Sequence, residues 1–211
     1  APGIIWAGGY TSGIYKINKD TLSVEYFSPY LLSHVNMRPD KYIRDIVKDS
    51  RGYIWSGGYY NLKCFDLETN SARLYPGLNS ITSIVEKDKD NMWIGTAAGL
   101  YLLNRNTGEY QYIEMEIGIT YINTLYQADN GLLYIGTNGM GVFIYHPQDK
   151  TFEHYFSDNS ALVSNRIFTI LPEVDGRIMM STENGITCFH TKEKIFRNWT
   201  RGEGLLPAYF N

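Results

Sequence analysis

The sequence has no long apolar run and no excess of basic residues. No hydrophobic stretch approaches the roughly 20 residues that a membrane-spanning helix needs. Its 19 Lys and Arg are outnumbered by 22 Asp and Glu, and the net charge of -3 leaves no basic stripe that could neutralise nucleic-acid phosphates. We therefore expect no membrane insertion by this segment and no nucleic-acid partner.

The residue patterns of common enzymes are also missing. The four histidines show no metal-ligand spacing, and neither a G-x-S-x-G nucleophile turn nor a phosphate-binding glycine loop occurs. We therefore predict no catalytic residue, no bound metal and no cofactor.

Helical periodicity is scarce, whereas strand-forming residues are abundant. The chain has 18 Tyr, 9 Phe and 4 Trp, and its 20 Gly fall between short alternating runs of apolar and polar residues. With 44% hydrophobic residues in a chain of 211, it can bury a core of domain size. The composition predicts an all-β domain, or part of one, built from short strands and tight turns.

One phrase recurs five times along the chain. Its copies are IIWAGGYTSGI at 4–14, YIWSGGYYNLK at 53–63, DNMWIGTAAGL at 90–100, LLYIGTNGMGV at 132–142 and RIMMSTENGIT at 177–187. The large residues that anchor these copies are Trp6, Trp55, Trp93, Tyr134 and Met179. An aliphatic residue stands nine positions before each of the last four anchors (Ile46, Ile84, Leu125 and Ile170), and an aromatic residue closes each of these repeats (Tyr75, Tyr112, Tyr155 and Trp199).

Each repeat is predicted to form four short antiparallel strands. A four-stranded unit of about 40 to 50 residues is the signature of a β-propeller blade. We place a partial blade at 1–27, a linker at 28–41, complete blades at 42–76, 80–114, 120–157 and 165–200, and the start of a further blade at 204–211. These five repeats form a single propeller segment. It is either a fragment of a seven-bladed ring, which we favour, or a self-closed five-bladed ring.

The anchors and the glycines have predicted structural roles. A bulky anchor such as Trp55 or Trp93 can fill the space between neighbouring blades, with sugar stacking or redox chemistry as the alternatives. Gly95 and Gly99 are expected to let the second strand end and the chain turn where a side chain would clash. The segment DSRGYIW at 49–55 is interpreted as a turn between the first two strands of a blade.

The two cysteines are predicted to be free thiols. Cys64 and Cys188 each lie nine residues after their anchors, so they occupy the same strand position in different blades. Equivalent positions in well-separated blades are too far apart for the roughly 6 Å Cα spacing of a disulfide.

The phrase at 93–100, with Asp88 and Asp90 before it and Asn104 after it, resembles the two-component regulator propeller repeat. This repeat occurs in the periplasmic sensor regions of Bacteroides-type hybrid two-component histidine kinases. The resemblance covers essentially the whole chain, although copies one and two have Ala-Gly-Gly and Ser-Gly-Gly in place of Ile-Gly-Thr. The segment at 204–211 is similar to the phrase that opens the last blade of the membrane-proximal propeller in that family.

The resemblance implies a receptor with two propellers of about seven blades each, an immunoglobulin-like domain, a membrane helix and a cytoplasmic histidine kinase. This segment would then be a periplasmic, non-enzymatic sensory module in a homodimeric receptor. Its partners would be an oligosaccharide ligand and the other propeller and the immunoglobulin-like domain of the same receptor. The alternatives are a protein-interaction scaffold that binds no ligand itself and, more remotely, a propeller lyase or glycosidase.

Candidate ligand-binding residues lie on the predicted face that carries the connections between blades and the loops between second and third strands. Insertions concentrate in these loops, and loops on a rigid scaffold commonly carry function. The candidates are Tyr10, Arg38, Arg44, Tyr59, Tyr60, Asn138 and Glu183. Tyrosine rings can stack on the C–H face of a sugar while polar side chains bond its hydroxyls, so this set suits an oligosaccharide. Tyr59 and Tyr60 stand out because copies three and four have small residues at these positions.

Overall fold

Antiparallel strands make up nearly all of the regular structure. A computed structural model describes residues 3–9, 13–27, 42–69, 71–115, 118, 120–203 and 205. Its strands are β1 (Ile4–Gly9), β2 (Gly13–Asn18), β3 (Val24–Phe27), β4 (Ile43–Lys48), β5 (Ile54–Gly58), β6 (Leu62–Asp66), β7 (Ser71–Tyr75), β8 (Ile81–Glu86), β9 (Asn91–Thr96), β10 (Gly99–Asn104), β11 (Tyr110–Ile113), β12 (Ile122–Gln127), β13 (Leu133–Thr137), β14 (Val142–His146), β15 (Thr151–Tyr155), β16 (Ile167–Pro172), β17 (Arg177–Thr182), β18 (Gly185–His190) and β19 (Ile195–Trp199). Short 3-10 turns lie at Val174–Gly176 and Arg201–Glu203. The part of the chain that the structure describes contains no helix long and apolar enough to cross a membrane.

The strands form five antiparallel sheets. The first sheet has three strands, β1 to β3, and each of the others has four strands in chain order: β4–β7, β8–β11, β12–β15 and β16–β19. One edge strand of each four-stranded sheet carries Ile46, Ile84, Leu125 or Ile170, and the opposite edge strand carries Tyr75, Tyr112, Tyr155 or Trp199. The prediction of an all-β chain of four-stranded antiparallel sheets is confirmed.

The chain divides into two compact units. Unit 1 comprises Ala1–Thr96 and Leu102–Gln111, and unit 2 comprises Ala97–Tyr101 and Tyr112–Asn211. Unit 1 therefore includes the complete sheets β1–β3 and β4–β7 together with β8 and β9. Unit 2 includes the complete sheets β12–β15 and β16–β19.

Trp55 is completely buried in unit 1 and is fixed by two neighbours. Its ring stacks on Tyr75 at a centroid distance of 5.4 Å, and its Nε1 donates a 2.8 Å hydrogen bond to Oδ2 of Asp49. Trp93 is equally inaccessible, with 1% of its surface exposed. Both tryptophans are therefore packing residues, as predicted, because neither ring is available to stack on a ligand.

Asp49 organises the turn between β4 and β5. Its Oδ1 accepts the backbone N–H groups of Arg51 and Tyr53, at 3.0 and 2.9 Å. Gly52 completes the turn with a φ of 91°, a left-handed conformation that glycine adopts without strain. The segment 49–55 is therefore a turn, as predicted.

A buried ion network links this turn to β8 and to the turn that follows β10. Arg105 donates from Nη1 to Oδ2 of Asp49 at 2.6 Å and from Nη2 to Oε1 of Glu86 at 2.7 Å. Its Nε donates to the carbonyl oxygen of Lys89, and Oε2 of Glu86 accepts the N–H of Ser50 at 2.7 Å. Each charge in the network has a partner, which offsets the cost of removing it from water.

A glycine in the second strand of a sheet makes room for an isoleucine from the first strand of the next sheet. A Cβ added to Gly57 would overlap the side chain of Ile81 in unit 1. In unit 2, a Cβ on Gly136 would lie 2.8 Å from Cγ2 of Ile167. Gly57 and Gly136 therefore have a packing role. The strand-ending role of Gly95 stays a prediction, and β9 continues for one residue beyond it. Gly99, with a φ of 120°, is the first residue of β10 and directly follows the predicted turn.

A buried threonine closes the loops between second and third strands in unit 2. Oγ1 of Thr137 donates to the carbonyl oxygen of Gly141 at 2.8 Å and accepts the N–H of Met140 at 2.9 Å. Thr182 makes the equivalent bond to a carbonyl oxygen at 2.9 Å. The threonine of the repeated phrase therefore holds its loop closed, and the copies that end in Gly-Gly have no side chain for this purpose.

Both cysteines are buried free thiols, as predicted. Burial raises the pKa of Cys64 to about 12, and the nearby carboxylate of Asp49 adds to the rise. Burial also raises the pKa of Cys188. Neither thiol is therefore ionised near neutral pH.

Candidate functional site

Three exposed tyrosines meet at one end of sheet β4–β7 in unit 1. Tyr59 and Tyr60 belong to the loop after β5, and their ring centroids are 5.8 Å apart. Tyr42, just before β4, lies 6.2 Å from Tyr59. The exposed fractions are 56% for Tyr59, 38% for Tyr60 and 40% for Tyr42. We call these three residues the tyrosine cluster.

The backbone of the tyrosine loop is held by the segment that leads into β8. The N–H of Ser80 donates to the carbonyl oxygen of Tyr59 at 3.1 Å, and the N–H of Leu62 donates to the carbonyl oxygen of Leu78 at 3.0 Å. Because these bonds involve only main-chain atoms, they position the loop independently of the tyrosine rings. The rings therefore project from a fixed backbone.

Arg44 and Asp45 lie on β4, close in sequence to the tyrosine cluster. The register of β4 against β5 shifts between Ile43 and Asp45, so Arg44 occupies a β-bulge, and its side chain is exposed. Oδ2 of Asp45 accepts the N–H of Ile84 on β8 at 2.6 Å. Burial raises the pKa of Asp45 to about 6, against the opposing effect of backbone hydrogen bonds. A carboxyl group that titrates in mildly acidic solution therefore directly follows an exposed arginine in the chain.

Three polar residues come together in the loops of unit 2. Asn138 pairs with Arg166 through an isolated antiparallel bridge, and Nη1 of Arg166 donates to Oε1 of Glu183 at 2.9 Å. Both side chains of this ion pair are about half exposed. The group offers hydrogen-bond donors and acceptors, but it has no aromatic face of its own.

The structure groups the predicted site residues by unit. Tyr59, Tyr60 and Arg44 lie in unit 1, Asn138 and Glu183 lie in unit 2, and Tyr10 and Arg38 lie outside the described residues. Sequence reasoning missed Tyr42 as a member of these groups. The available signal was its place at the end of the connection between the first two blades, on the same predicted face as the candidates. A binding role for any of them stays a prediction.

The tyrosine cluster has the chemistry of a binding surface. Its rings supply apolar faces at a small entropic cost, and its hydroxyl groups can both donate and accept hydrogen bonds. No group of three or more His, Cys, Asp or Glu that could hold a metal ion occurs within the described ranges.

Comparison with known sequences identifies the repeat. A sequence profile described as the two-component regulator propeller matches residues 76–98. The chain carries a two-component regulator propeller repeat. The matched segment includes Trp93 and Gly95 of the third phrase, so the resemblance drawn from the sequence is confirmed.

Proteins similar to this chain include two-component signalling proteins and a lyase. A curated protein named Histidine kinase P4, from Formosa agariphila, is 23% identical over 227 residues, and the match covers 98% of this chain and 16% of that protein. The extracellular domain of a hybrid two-component system from B. thetaiotaomicron gives a TM-score of 0.76 at 19% identity, over 94% of this chain and 27% of that one. Virginiamycin B lyase from Staphylococcus aureus gives a TM-score of 0.77 at 12% identity, over 99% of this chain and 68% of that one.

These similarities establish the fold of the chain as a β-propeller. They concern the fold alone, because the identities to the solved structures are low and a sensor domain and a lyase share the architecture. The chain spans about a sixth of the length of the histidine kinase and about a quarter of the two-component structure.

Proposed function

We propose that this chain is an extracytoplasmic sensory module of a two-component signalling receptor and that it takes part in recognising a glycan-derived oligosaccharide. The observation that carries the proposal is the tyrosine cluster of unit 1. The repeat at 76–98 and the similarity to a histidine kinase support the signalling part. The segment itself would be periplasmic and non-enzymatic, and ligand binding would be passed through the membrane to the kinase.

The tyrosine cluster suits a ligand that has both apolar faces and hydroxyl groups. A sugar ring presents C–H groups on its faces, which pack on aromatic rings, and hydroxyls at its edge, which bond to phenol and guanidinium groups. The ring of Tyr59 lies 6.2 Å from that of Tyr42 and 5.8 Å from that of Tyr60, so the three exposed rings are in contact through Tyr59 and present aromatic edges and faces together. Arg44 supplies an exposed cation two residues from Tyr42.

Signalling requires more than tight binding. A ligand biases a receptor only by the difference between its affinities for the two signalling states, typically about 1 to 3 kcal/mol. A surface that contacts both the ligand and another domain can produce this difference. The proposed partners are therefore the other propeller, the immunoglobulin-like domain and a second copy of the receptor in a homodimer.

A protein-interaction scaffold is the second candidate function, and the same tyrosine cluster favours it. Tyrosine is enriched at the centres of protein interfaces, where it contributes large contact areas. In that case another part of the receptor would hold the oligosaccharide. The likeness to virginiamycin B lyase concerns the fold, so we carry no lyase activity over to this chain.

Calorimetric titration of the complete extracellular region with a panel of oligosaccharides tests the proposal. We expect one class of glycan to bind, and the double variant Tyr59→Ala, Tyr60→Ala to bind it at least roughly tenfold more weakly, because two stacking rings are removed. The control is Tyr26→Ala, which removes an exposed tyrosine from β3 of the same unit.

The outcomes separate the two candidate functions. Unchanged glycan binding with impaired assembly of the double variant would favour the scaffold. Unchanged binding and unchanged assembly would reject both functions for this cluster.

A further inference from the structure

A concave surface lies in unit 1, on different loops from the tyrosine cluster. It is a cleft of about 270 Å³ between the outer strands of sheet β4–β7 and the turn that follows β10. Residues that line it include Arg51, Tyr53, Trp55, Asp66, Arg73 and Tyr75. Ligand pockets in proteins start at roughly 300 Å³, so a cleft of this size suits a single ring rather than an oligosaccharide.

Arg73 brings a fixed positive charge to this cleft. Its Nη1 donates to the carbonyl oxygens of Arg105 and Asn106, at 3.3 and 3.2 Å, and its Nη2 donates to that of Thr107 at 2.7 Å. The guanidinium group also lies over the ring of Tyr75, 5.1 Å from its centroid. Neutral carbonyl groups orient the cation without neutralising it, and no carboxylate within the described ranges forms an ion pair with it. Within the described ranges, none of these hydrogen bonds involves its Nε–H, and its side chain is exposed.

The other cations of the cleft already have partners. Arg105 is paired with the buried carboxylate of Asp49, and Nη2 of Arg51 bonds Oδ1 of Asp90 at 3.0 Å. Among the arginines that line the cleft, Arg73 is therefore the one whose positive charge an anionic ligand could pair with. A planar carboxylate matches the fork of a guanidinium group, and such charge-assisted bonds are roughly twice as strong as neutral ones.

Asp66 sets a second requirement on the ligand. The hydroxyl group of Thr69 and the backbone N–H groups of Thr69 and Glu68 hold the pKa of Asp66 below its usual range. Its carboxylate is therefore ionised at neutral pH, where it would repel a second anionic group and accept a hydroxyl donor. A ligand that satisfies both Arg73 and Asp66 has one carboxylate and at least one hydroxyl group.

We propose that this cleft binds a small cyclic hydroxy acid, with its carboxylate on Arg73 and a hydroxyl group on Asp66. A sugar acid has this combination of groups, and the ring of Tyr53 lines the cleft beside them. The site is separate from the tyrosine cluster. Either site can therefore fail its own test while the other passes.

The chain contains a matched control for Arg73. Arg73 on β7 stands opposite Cys64 on β6, and Arg197 on β19 stands opposite Cys188 on β18. The two arginines thus occupy the same strand position in different sheets. Arg197 is exposed and does not line the cleft.

Calorimetric titration of the full chain at neutral pH tests the proposal with three probes. Glucuronate has both groups, glucose has hydroxyls without the acid, and benzoate has the acid without hydroxyls. We expect glucuronate to bind at least roughly tenfold more tightly than either of the others, because only it satisfies both charged side chains. We expect Arg73→Gln to weaken glucuronate binding at least roughly tenfold, Arg73→Lys to weaken it less, and Arg197→Gln to leave it unchanged.

Several results would overturn the inference. The first is the absence of glucuronate binding in the millimolar range, and the second is equal binding of glucose or benzoate. The third is an equal loss of affinity in Arg73→Gln and Arg197→Gln. The comparison of probes uses the unmodified chain, so it decides the question even if Arg73→Gln folds poorly.

Discussion

The sheets β4–β7 and β12–β15 share strand order and register but differ in chemistry at equivalent positions. Trp55, Cys64 and Arg73 face one another across the strands of the first sheet, and Tyr134, Ile144 and Glu153 do so in the second. The turn that contacts Arg73 or Glu153 also differs: it is the turn after β10 in unit 1 and the turn after β18 in unit 2. A Cβ on Gly108 would overlap Arg73, whereas Nζ of Lys194 bonds Oε2 of Glu153 at 2.7 Å.

The two turns have the same backbone, so their side chains are free to differ. The N–H of Gly108 donates to the carbonyl oxygen of Asn104 at 2.8 Å, and the N–H of Lys194 donates to that of His190 at 2.9 Å. The residue that donates this closing bond has a positive φ in both turns, 83° for Gly108 and 57° for Lys194. We call the contact between a fourth strand and the turn of the following sheet a junction. In the junction of unit 1, the cation of Arg73 contacts carbonyl groups beside the cleft. In the junction of unit 2, Lys194 and Glu153 form an ion pair. The repeat therefore specifies the backbone of a junction without specifying its charge.

The ion pairs near the two junctions also differ in burial. The side chains of Arg105 and Asp49 are 1% and 0% exposed, whereas those of Lys194 and Glu153 are 42% and 31% exposed. Water screens the second pair and does not reach the first. The two ion pairs should therefore contribute very different amounts to stability.

The largest expected effect comes from breaking the buried pair. Arg105→Met should lower the free energy of unfolding by about 3 to 5 kcal/mol, because it leaves Asp49 charged and buried without a cation. Lys194→Met removes the exposed counterpart and should cost less than about 1 kcal/mol. Urea denaturation followed by tryptophan fluorescence measures both changes. Equal losses would show that burial does not distinguish the junctions.

The sequence predicted the features that the two sheets share, because these features are local. The strands follow from alternation and turn residues within each repeat, and the anchor at 55 or 134 is recognisable in either copy. The features that differ depend on distant pairs. Arg105 and Asp49 are 56 residues apart, and Tyr42 meets Tyr59 only once β4 and β5 have paired. No spacing rule within one repeat indicates these contacts, so the cleft and the full tyrosine cluster were not predicted.

The next effect concerns a titrating group that unit 1 has and unit 2 lacks. Asp45 follows the β-bulge of β4, and Thr124 has the same place on β12. Burial raises the pKa of Asp45 to about 6 from its ordinary 3.8, so the folded chain holds this proton more tightly than the unfolded chain. The stability associated with the protonated form is present below pH 3.8 and is lost as the pH rises through about 6.

Asp45→Asn removes this titration while leaving an oxygen that can accept the N–H of Ile84. Relative to the wild type, the variant should gain about 2 kcal/mol in free energy of unfolding between pH 4 and pH 7. Thr124→Val serves as the control and should show no such gain. Denaturation curves at several pH values measure the difference, and parallel pH profiles for wild type and Asp45→Asn would contradict the burial argument.

A smaller effect should follow from exchanging the charges of the junction. Arg73→Glu alone places a carboxylate against three carbonyl groups, and Gly108→Lys alone crowds the guanidinium group. The double variant recreates the arrangement of Glu153 and Lys194. We expect the double variant to be more stable than the sum of the single changes predicts, with a coupling energy of about 0.5 to 1 kcal/mol. A double-mutant cycle by urea denaturation measures it, and strict additivity would mean that the junctions are not equivalent.

The last comparison concerns the loops between second and third strands, where unit 2 has a buried threonine and unit 1 has a glycine. In unit 2 the hydroxyl group of Thr137 bonds both sides of its loop. Thr137→Val should cost about 1 to 2 kcal/mol, because the N–H of Met140 loses its partner and the carbonyl oxygen of Gly141 keeps only the N–H of Thr137, at 3.1 Å. In unit 1 the equivalent residue is Gly58, which has no hydroxyl group, so main-chain bonds from Ser80 and Leu62 hold the loop without a side-chain bridge.

The double variant Tyr59→Ala, Tyr60→Ala keeps these main-chain bonds and removes only exposed rings. Its free energy of unfolding should therefore fall by less than about 1 kcal/mol, as for other surface changes. Urea denaturation of this variant beside Thr137→Val measures the contrast. A loss greater than that of Thr137→Val would mean that the tyrosines are needed to pack the loop. A loss within the expected limit means that packing does not explain two adjacent exposed aromatic residues, which leaves contact with a ligand or a partner as the reason for their presence.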